Sequence, residues 1–266
     1  MSEVMLTAPI AWLGRQGLSF VTESGRYVCF SVRACAAMFR LPLQFVRSTE
    51  QVYFVGVRSM SVILLIGLFT GMVLGLQGYY ALVKFGSEGM LGAAVALSLI
   101  RELGPVLTAI MVIGRAGSAM TAEIGVMRIS EQIDALDTMD IDPVRYLVSP
   151  KVAGSILCFP LLTAFFDVVG IIGGYLTGVV LLGVNSGVYW YRIQSAVELR
   201  DVSGGFVKSL IFALIVATMC SYQGYYTHLR SRGFGAVGVS LSTTTAVVIS
   251  CVMVLVSDYV ITTFFM

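Results

Sequence analysis

The chain has 266 residues, 57% hydrophobic and only 12% charged, with a formal net charge of +2 and a mean hydropathy of +0.89. Soluble domains carry about 25% charged residues, so this chain has too few to cover a water-facing surface, which excludes a soluble fold and leaves no basis for a nucleic-acid partner. A bilayer-spanning helix needs roughly 20 apolar residues, and the length suits an all-α polytopic membrane protein of about five such helices.

Residues 1–50 are apolar but interrupted, and are expected to form an N-terminal interfacial amphipathic region ahead of a transmembrane domain over 51–266. No compact apolar core followed by a small-residue cleavage site occurs there, so no removable signal peptide is expected. Arg15, Arg26, Arg33, Arg40 and Arg47 are spaced by 11, 7, 7 and 7 residues, and both intervals return a helix to nearly one face. Such a basic stripe fits a helix lying among lipid headgroups, or an ordinary lead-in to the first span. Gly25 and Pro42 are expected to break it into pieces.

No charge falls between Arg58 and Lys84, which marks the first span. Gly67, Gly71, Gly75 and Gly78 form a small-residue ladder that lets another backbone approach, within the chain or across a subunit contact. The second span is expected over about Leu91 to Gly114, with Arg101 and Glu102 inside it. Charge in mid-membrane faces a cavity or a partner. Neighbouring residues diverge by about 100° on a helix, so at least one of the two reaches another helix or a ligand, or the pair serves packing. Pro105 has no N–H to donate, which predicts a kink or a freed carbonyl near Arg101.

Past Arg115 the chain turns polar, and a short helix is predicted from Ser130 as N-cap to the stop at Pro143. Ile133, Leu136 and Met139 make an apolar stripe, and Glu131, Asp134 and Asp137 an acidic one. Asp137, Asp140 and Asp142 crowd the C-terminal end, where the helix dipole disfavours them. Either a basic partner complements this face or it is a solvated loop. A third span ends near Gly183, carrying Asp167 and the ladder Gly170, Gly174, Gly178. Tyr189, Trp190 and Tyr191 suit an interfacial belt. A fourth span is expected over about Ser209 to Thr227, and a fifth from Ala236 with Asp258 its only charge. With the N-terminus cytoplasmic, twelve basic residues fall on that side and four beyond the membrane, Lys208 among them. This bias orients the chain, with the C-terminus outside.

Cys29, Cys35, Cys158, Cys220 and Cys251 are odd in number and widely spaced, and His228 is the single histidine. That pattern favours neither a metal site nor a disulfide framework, and the cysteines read as small hydrophobes. No GxxxxGK[ST] loop is present, so ATP is not hydrolysed here through a P-loop.

A polytopic chain with a cytoplasmic amphipathic helix between two spans has the outline of a permease driven by a separate motor. The segments GMVLGLQGY at 71–79, LSLIRELGPVLTA at 97–109, GRAGSAMTAEIGVM at 114–127, EQIDAL at 131–136 and DPVRYLVSPK at 142–151 resemble the MlaE (YrbE) permease family. The resemblance covers nearly all of the chain from about Val52. It implies the permease of an ABC system that moves glycerophospholipids between the inner and outer membranes and maintains outer-membrane lipid asymmetry. Its implied partners are phospholipid, a second copy of the chain, an ABC ATPase subunit that binds the ATP, a STAS-domain protein and a hexameric MCE-domain protein. No cofactor is implied on this chain, and the location is the bacterial inner membrane. Ser130 to Asp140 matches the family's coupling helix, so Glu131, Ile133, Asp134, Leu136 and Asp137 would meet the ATPase. Leu74, Gln77, Leu82, Arg101, Glu102 and Leu103 would line or border the lipid cavity, and the arginine-striped N-terminal helix would be the family's interfacial helix. Residues 1–45 and the loop from Gly183 to Asp201 depart from the family pattern.

Two other readings are carried. An intramembrane enzyme would use Asp167 with Asp258, or Ser118 with His228 as base. A secondary transporter would use Arg101, Glu102 and Asp167 as a proton relay.

Overall fold

The computed structural model describes residues 2–38, 45–229 and 235–265. Arg40, Pro42, Arg230 and Arg232 lie outside them, as does the side chain of Arg15. The described residues are helical, and five helices are long and apolar enough to cross a membrane: Val46–Val83, Glu88–Ile129, Val144–Leu181, Leu199–Tyr225 and Gly235–Phe264. The ends of the second and fourth spans share a face with the start of the first, called here the N-terminal face; the ends of the first and third lie on the opposite face.

The N-terminal segment forms an unbroken helix, Ser2–Met38, and passes through Gly25 without the break expected there. Phe30, Ala34 and Ala37 recur at helical spacing and are buried. Phe30 and Ala34 pack with Tyr27 against Ala217, Met219 and Tyr222 of the fourth span and Val148 and Val152 of the third. This contact outweighs the cost of about 1 kcal/mol for a glycine within a helix. Arg26 and Arg33 are exposed at the edge of this buried face, and Arg33 reaches Asp142. The next helix starts at Phe45 and leads into the first span, so the boundary expected after residue 50 falls inside a helix.

The two glycine ladders meet each other. Gly67 lies against Phe166, Gly71 against Gly170 and Gly75 against Gly174, so the first and third spans run parallel with backbones touching. A Cβ on Gly71 would overlap the Gly170 carbonyl. Within a bilayer the alternative to this contact is lipid, as apolar as the protein, so close packing rather than water exclusion holds the pair together. Leu91 fills the space left by Gly78 and Gly178 at the end of the seam.

The second and fourth spans, like the first, are longer than their charges suggested. The second does not end near Gly114 but continues to Ile129. Arg115 sits within it and donates to the Phe54 carbonyl at 2.6 Å and to Ser59 Oγ at 2.9 Å. The fourth begins at Leu199, about a decade of residues before the expected start, because Glu198 and Asp201 form a reciprocal cap. Lys208, expected beyond the membrane, is therefore inside the fourth span and 4% exposed. Tyr189 leaves the expected belt: it is fully buried and its hydroxyl donates to the Ile171 carbonyl at 3.1 Å.

Introducing Gly71→Leu is expected to abolish the monodisperse folded species on detergent size exclusion, because backbone cannot yield to it. Gly114→Ala, with nothing within 4 Å of the added methyl, should melt at the wild-type temperature or slightly above.

Candidate functional site

Lys208 organises the polar interior. Its ammonium donates to Glu102 Oε2 at 2.7 Å, Thr262 Oγ1 at 2.7 Å and the Arg101 carbonyl at 3.0 Å, which uses its three protons. Asp258 Oδ1 adds an ion contact at 3.0 Å. Thr262 closes the ring by donating to Glu102 Oε1 at 3.2 Å. The Arg101 carbonyl is available because Pro105, four residues on, has no N–H to offer it, so the predicted free carbonyl exists and a lysine takes it. The helix widens into a π-turn at Leu99–Leu103, the local form that a missing hydrogen bond permits.

Arg101 points to the fourth span as well. Its Nε donates to Asp201 Oδ1 at 2.8 Å, while Asp201 Oδ2 accepts the Glu198 N–H at 3.1 Å and caps that span. Glu102 and Arg101 thus both reach another helix, as their divergence on the helix required. Gly205, one turn beyond Asp201, lies over the Ile100 carbonyl, where a Cβ would meet it at 2.6 Å. A small residue is what lets the spans approach closely enough for the ion pairs to form.

Arg101, Glu102, Glu198, Arg200, Asp201, Gly204, Gly205, Lys208 and Thr262 line a cavity of about 270 Å³. Asp201 is in the first turn of the fourth span, so Arg101 stands near the face opposite the N-terminus rather than at mid-membrane. The second-span helix has length to spare: its 42 residues extend about 63 Å, against a hydrocarbon core of roughly 30 Å. Of the residues expected at a cavity, Arg101 and Glu102 are brought together. Leu103, Leu74 and Leu82 are half-buried against the main core, and Gln77 on the first span is exposed; none of these four lines this cavity. Lys208, Asp201 and Thr262 were missed. The spacing of Asp201 to Lys208, two helical turns, and of Asp258 to Thr262, one turn, places each pair on one face once the helix starts are known.

On the N-terminal face, the short acidic helix is Gln132–Thr138. Ser130 does not cap it; its hydroxyl bonds back to the Val126 carbonyl at 2.9 Å, closing the second span instead. Glu131 and Asp140 adopt left-handed φ of 58° and 60° and bracket the helix, a strain of order 1 kcal/mol each. Ile133 is fully buried and Leu136 half-buried, whereas Met139 is 68% exposed and lies past the helix end. Glu131 and Asp137 are exposed. The basic complement expected from a partner is partly supplied in cis: Arg128 pairs with Asp134 at 2.7 Å and Arg33 with Asp142 at 3.0 Å. Arg128 also donates to His228 Nδ1 at 2.9 Å. Burial, reinforced by the Arg128 charge, pushes the His228 imidazole below its usual range.

The enzyme arrangements do not assemble. Ser118 donates back to the Gly114 carbonyl at 2.5 Å, His228 is engaged by Arg128, and Asp258 belongs to the Lys208 network while Asp167 packs beside Gly104.

Five spans, an ion network binding three of them together and a short amphipathic helix between the second and third define a multi-pass helical membrane protein of the transport class. The chain belongs to the MlaE permease family, whose model, "Permease MlaE", matches residues 48–264. It is 40% identical over 259 residues, 97% of each chain, to the "Intermembrane phospholipid transport system permease protein MlaE" of Haemophilus influenzae. A "Probable ABC transporter permease protein" of Rickettsia bellii is 41% identical over 253 residues, 95% of this chain and 96% of the relative. The protein TRIGALACTOSYLDIACYLGLYCEROL 1, chloroplastic, of Arabidopsis thaliana is 35% identical over 216 residues, 81% of this chain and 60% of that one.

Removing the lysine head by Lys208→Met leaves Glu102 and Asp258 facing each other without a cation, and about 3–5 kcal/mol of stability should be lost. Arg101→Gln, at an ion pair whose arginine is 44% exposed, should cost about 1 kcal/mol or less. Thermal melts of the two variants in one detergent check the order, and adding Asp258→Asn to Lys208→Met should recover part of the loss.

Proposed function

We propose that this chain is the permease subunit of an ABC transporter that moves glycerophospholipids between the inner and outer membranes and thereby maintains outer-membrane lipid asymmetry. The observation that carries this reading is the 40% identity, over 97% of the chain, to a protein named as an intermembrane phospholipid transport permease. The chain sits in the inner membrane with its N-terminus cytoplasmic and its C-terminus periplasmic, following the basic-residue bias. It acts as a homodimer with a separate ATPase that binds ATP, a STAS-domain protein and a hexameric MCE-domain protein.

A two-tailed lipid needs an apolar wall and a few fixed polar groups. Arg101, through the guanidinium nitrogens not used by Asp201, meets the phosphate, and Glu102 sets the edge of the headgroup site. Leu74, Leu82 and Leu103, with Gln77 among them, border the path of the tails. The ATPase engages the Gln132–Thr138 helix through the exposed Glu131 and Asp137, with Asp134 steadied by Arg128. Ile133 and Leu136 root that helix in the permease, so a push on it is transmitted rather than absorbed. The second-span helix carries Arg128 at one end and Arg101 and Glu102 toward the other, so displacement of the short helix reaches the headgroup site along one continuous rod.

Purification of the tagged chain in mild detergent, with mass spectrometry of bound proteins and lipids, should recover an ATPase, an MCE-domain protein and phospholipid. Reconstituted with them, Arg101→Gln should lower ATP-dependent lipid transfer at least tenfold while assembly stays at the wild-type level. Equal loss of transfer and assembly would assign Arg101 to packing. Transfer that follows a proton gradient with no ATPase bound would mean a secondary transporter.

A further inference from the structure

Asp167 Oδ1, Thr163 Oγ1 and Thr108 Oγ1 are among eight buried side-chain atoms that have no hydrogen-bond partner among the described residues. These three belong to a single seam. Asp167, on the third span, packs against Gly104 of the second so closely that a methyl group on Gly104 would overlap Oδ1. The two spans are antiparallel. One helical turn toward the N-terminal face therefore leads from 104 to 108 on one and from 167 to 163 on the other, which puts the two threonines level. Thr108 is 0% and Thr163 3% exposed.

Several other span threonines give their hydroxyls to the carbonyl four residues back, as Thr121, Thr218 and Thr243 do. Thr108 and Thr163 make no such bond. The backbone beside them is satisfied, since the Gly104 N–H takes the Leu99 carbonyl. Charged groups on the packed elements are committed elsewhere: Arg101 to Asp201, Glu102 and Asp258 to Lys208. The first span carries none from residue 59 to 83.

We propose that this seam is a binding site for a single water molecule, held by Asp167 Oδ1 and the hydroxyls of Thr108 and Thr163. Buried waters make about three hydrogen bonds to groups that are otherwise unsatisfied, and the seam presents three such groups. A hard metal cation surrounds itself with six or more oxygens, twice what is offered.

Melting of the purified chain in detergent tests the site through coupling. Thr108→Val with Thr163→Val should lower the midpoint by about 3–6 °C, because Asp167 loses its bridge. Asp167→Leu should lower it similarly, and the triple variant no further than the worse of the two. Asp167→Asn keeps an acceptor and should stay within about 2 °C of wild type, which preserves the test if the leucine variant does not fold. Losses that add, or a valine pair as stable as wild type, would show that the three groups share no ligand and would overturn the proposal. So would an asparagine variant as impaired as the leucine one, or a wild-type midpoint that falls when choline replaces sodium and potassium, since either marks a cation site.

Discussion

The burial of Lys208 constrains everything around it. An ammonium withdrawn from water loses several kcal/mol of solvation, and inside a membrane no solvent follows it. It survives because oxygens from two other spans converge on one nitrogen. The second span contributes a side chain and a main-chain carbonyl, the latter only because proline leaves it free. The fifth contributes Asp258 and Thr262. Remove any of these and the lysine has no reason to stay, so the three helices are specified together at this level rather than pairwise.

The Arg101–Asp201 pair, exposed on the arginine side, is of a different kind. It is near water and screened, and its energy is small, so it can open without unfolding the network beneath it. A strong ion cluster around a buried lysine, with a weaker and wetter pair above it, suits a site whose floor is fixed and whose rim changes. The wide turns at Leu99–Leu103 and Ile113–Gly117 lie on the helix that joins this rim to the N-terminal face. Such turns are where a helix shifts register without breaking.

The spans were legible because long uncharged stretches have no other home in so apolar a chain. Their ends were not, because Arg115 and Lys208 look like boundary residues in a linear reading and are satisfied by partners dozens of residues away. The free carbonyl at Arg101 followed from proline chemistry alone, but the identity of its donor required the fold. The Ser130 cap failed for a physical reason: a serine hydroxyl at a helix junction bonds as readily to the preceding turn as to the following one, and here the second span wins. Gly25 misled because its local cost is smaller than the packing of Tyr27, Phe30 and Ala34, which adjacent residues do not reveal. The family likeness reached further than periodicity, since it rests on long ordered motifs rather than on spacing.

Where the first and third spans touch through Gly71 and Gly170, there are no side chains in between. Interfaces built from side chains can repack, trading one set of rotamers for another, and so can occupy two arrangements. An interface of bare backbone has a single arrangement and a steep wall on either side of it. The first and third spans are therefore one mechanical part, a double-thickness plate, and any change of shape in this protein must be taken up by the other three helices moving against it.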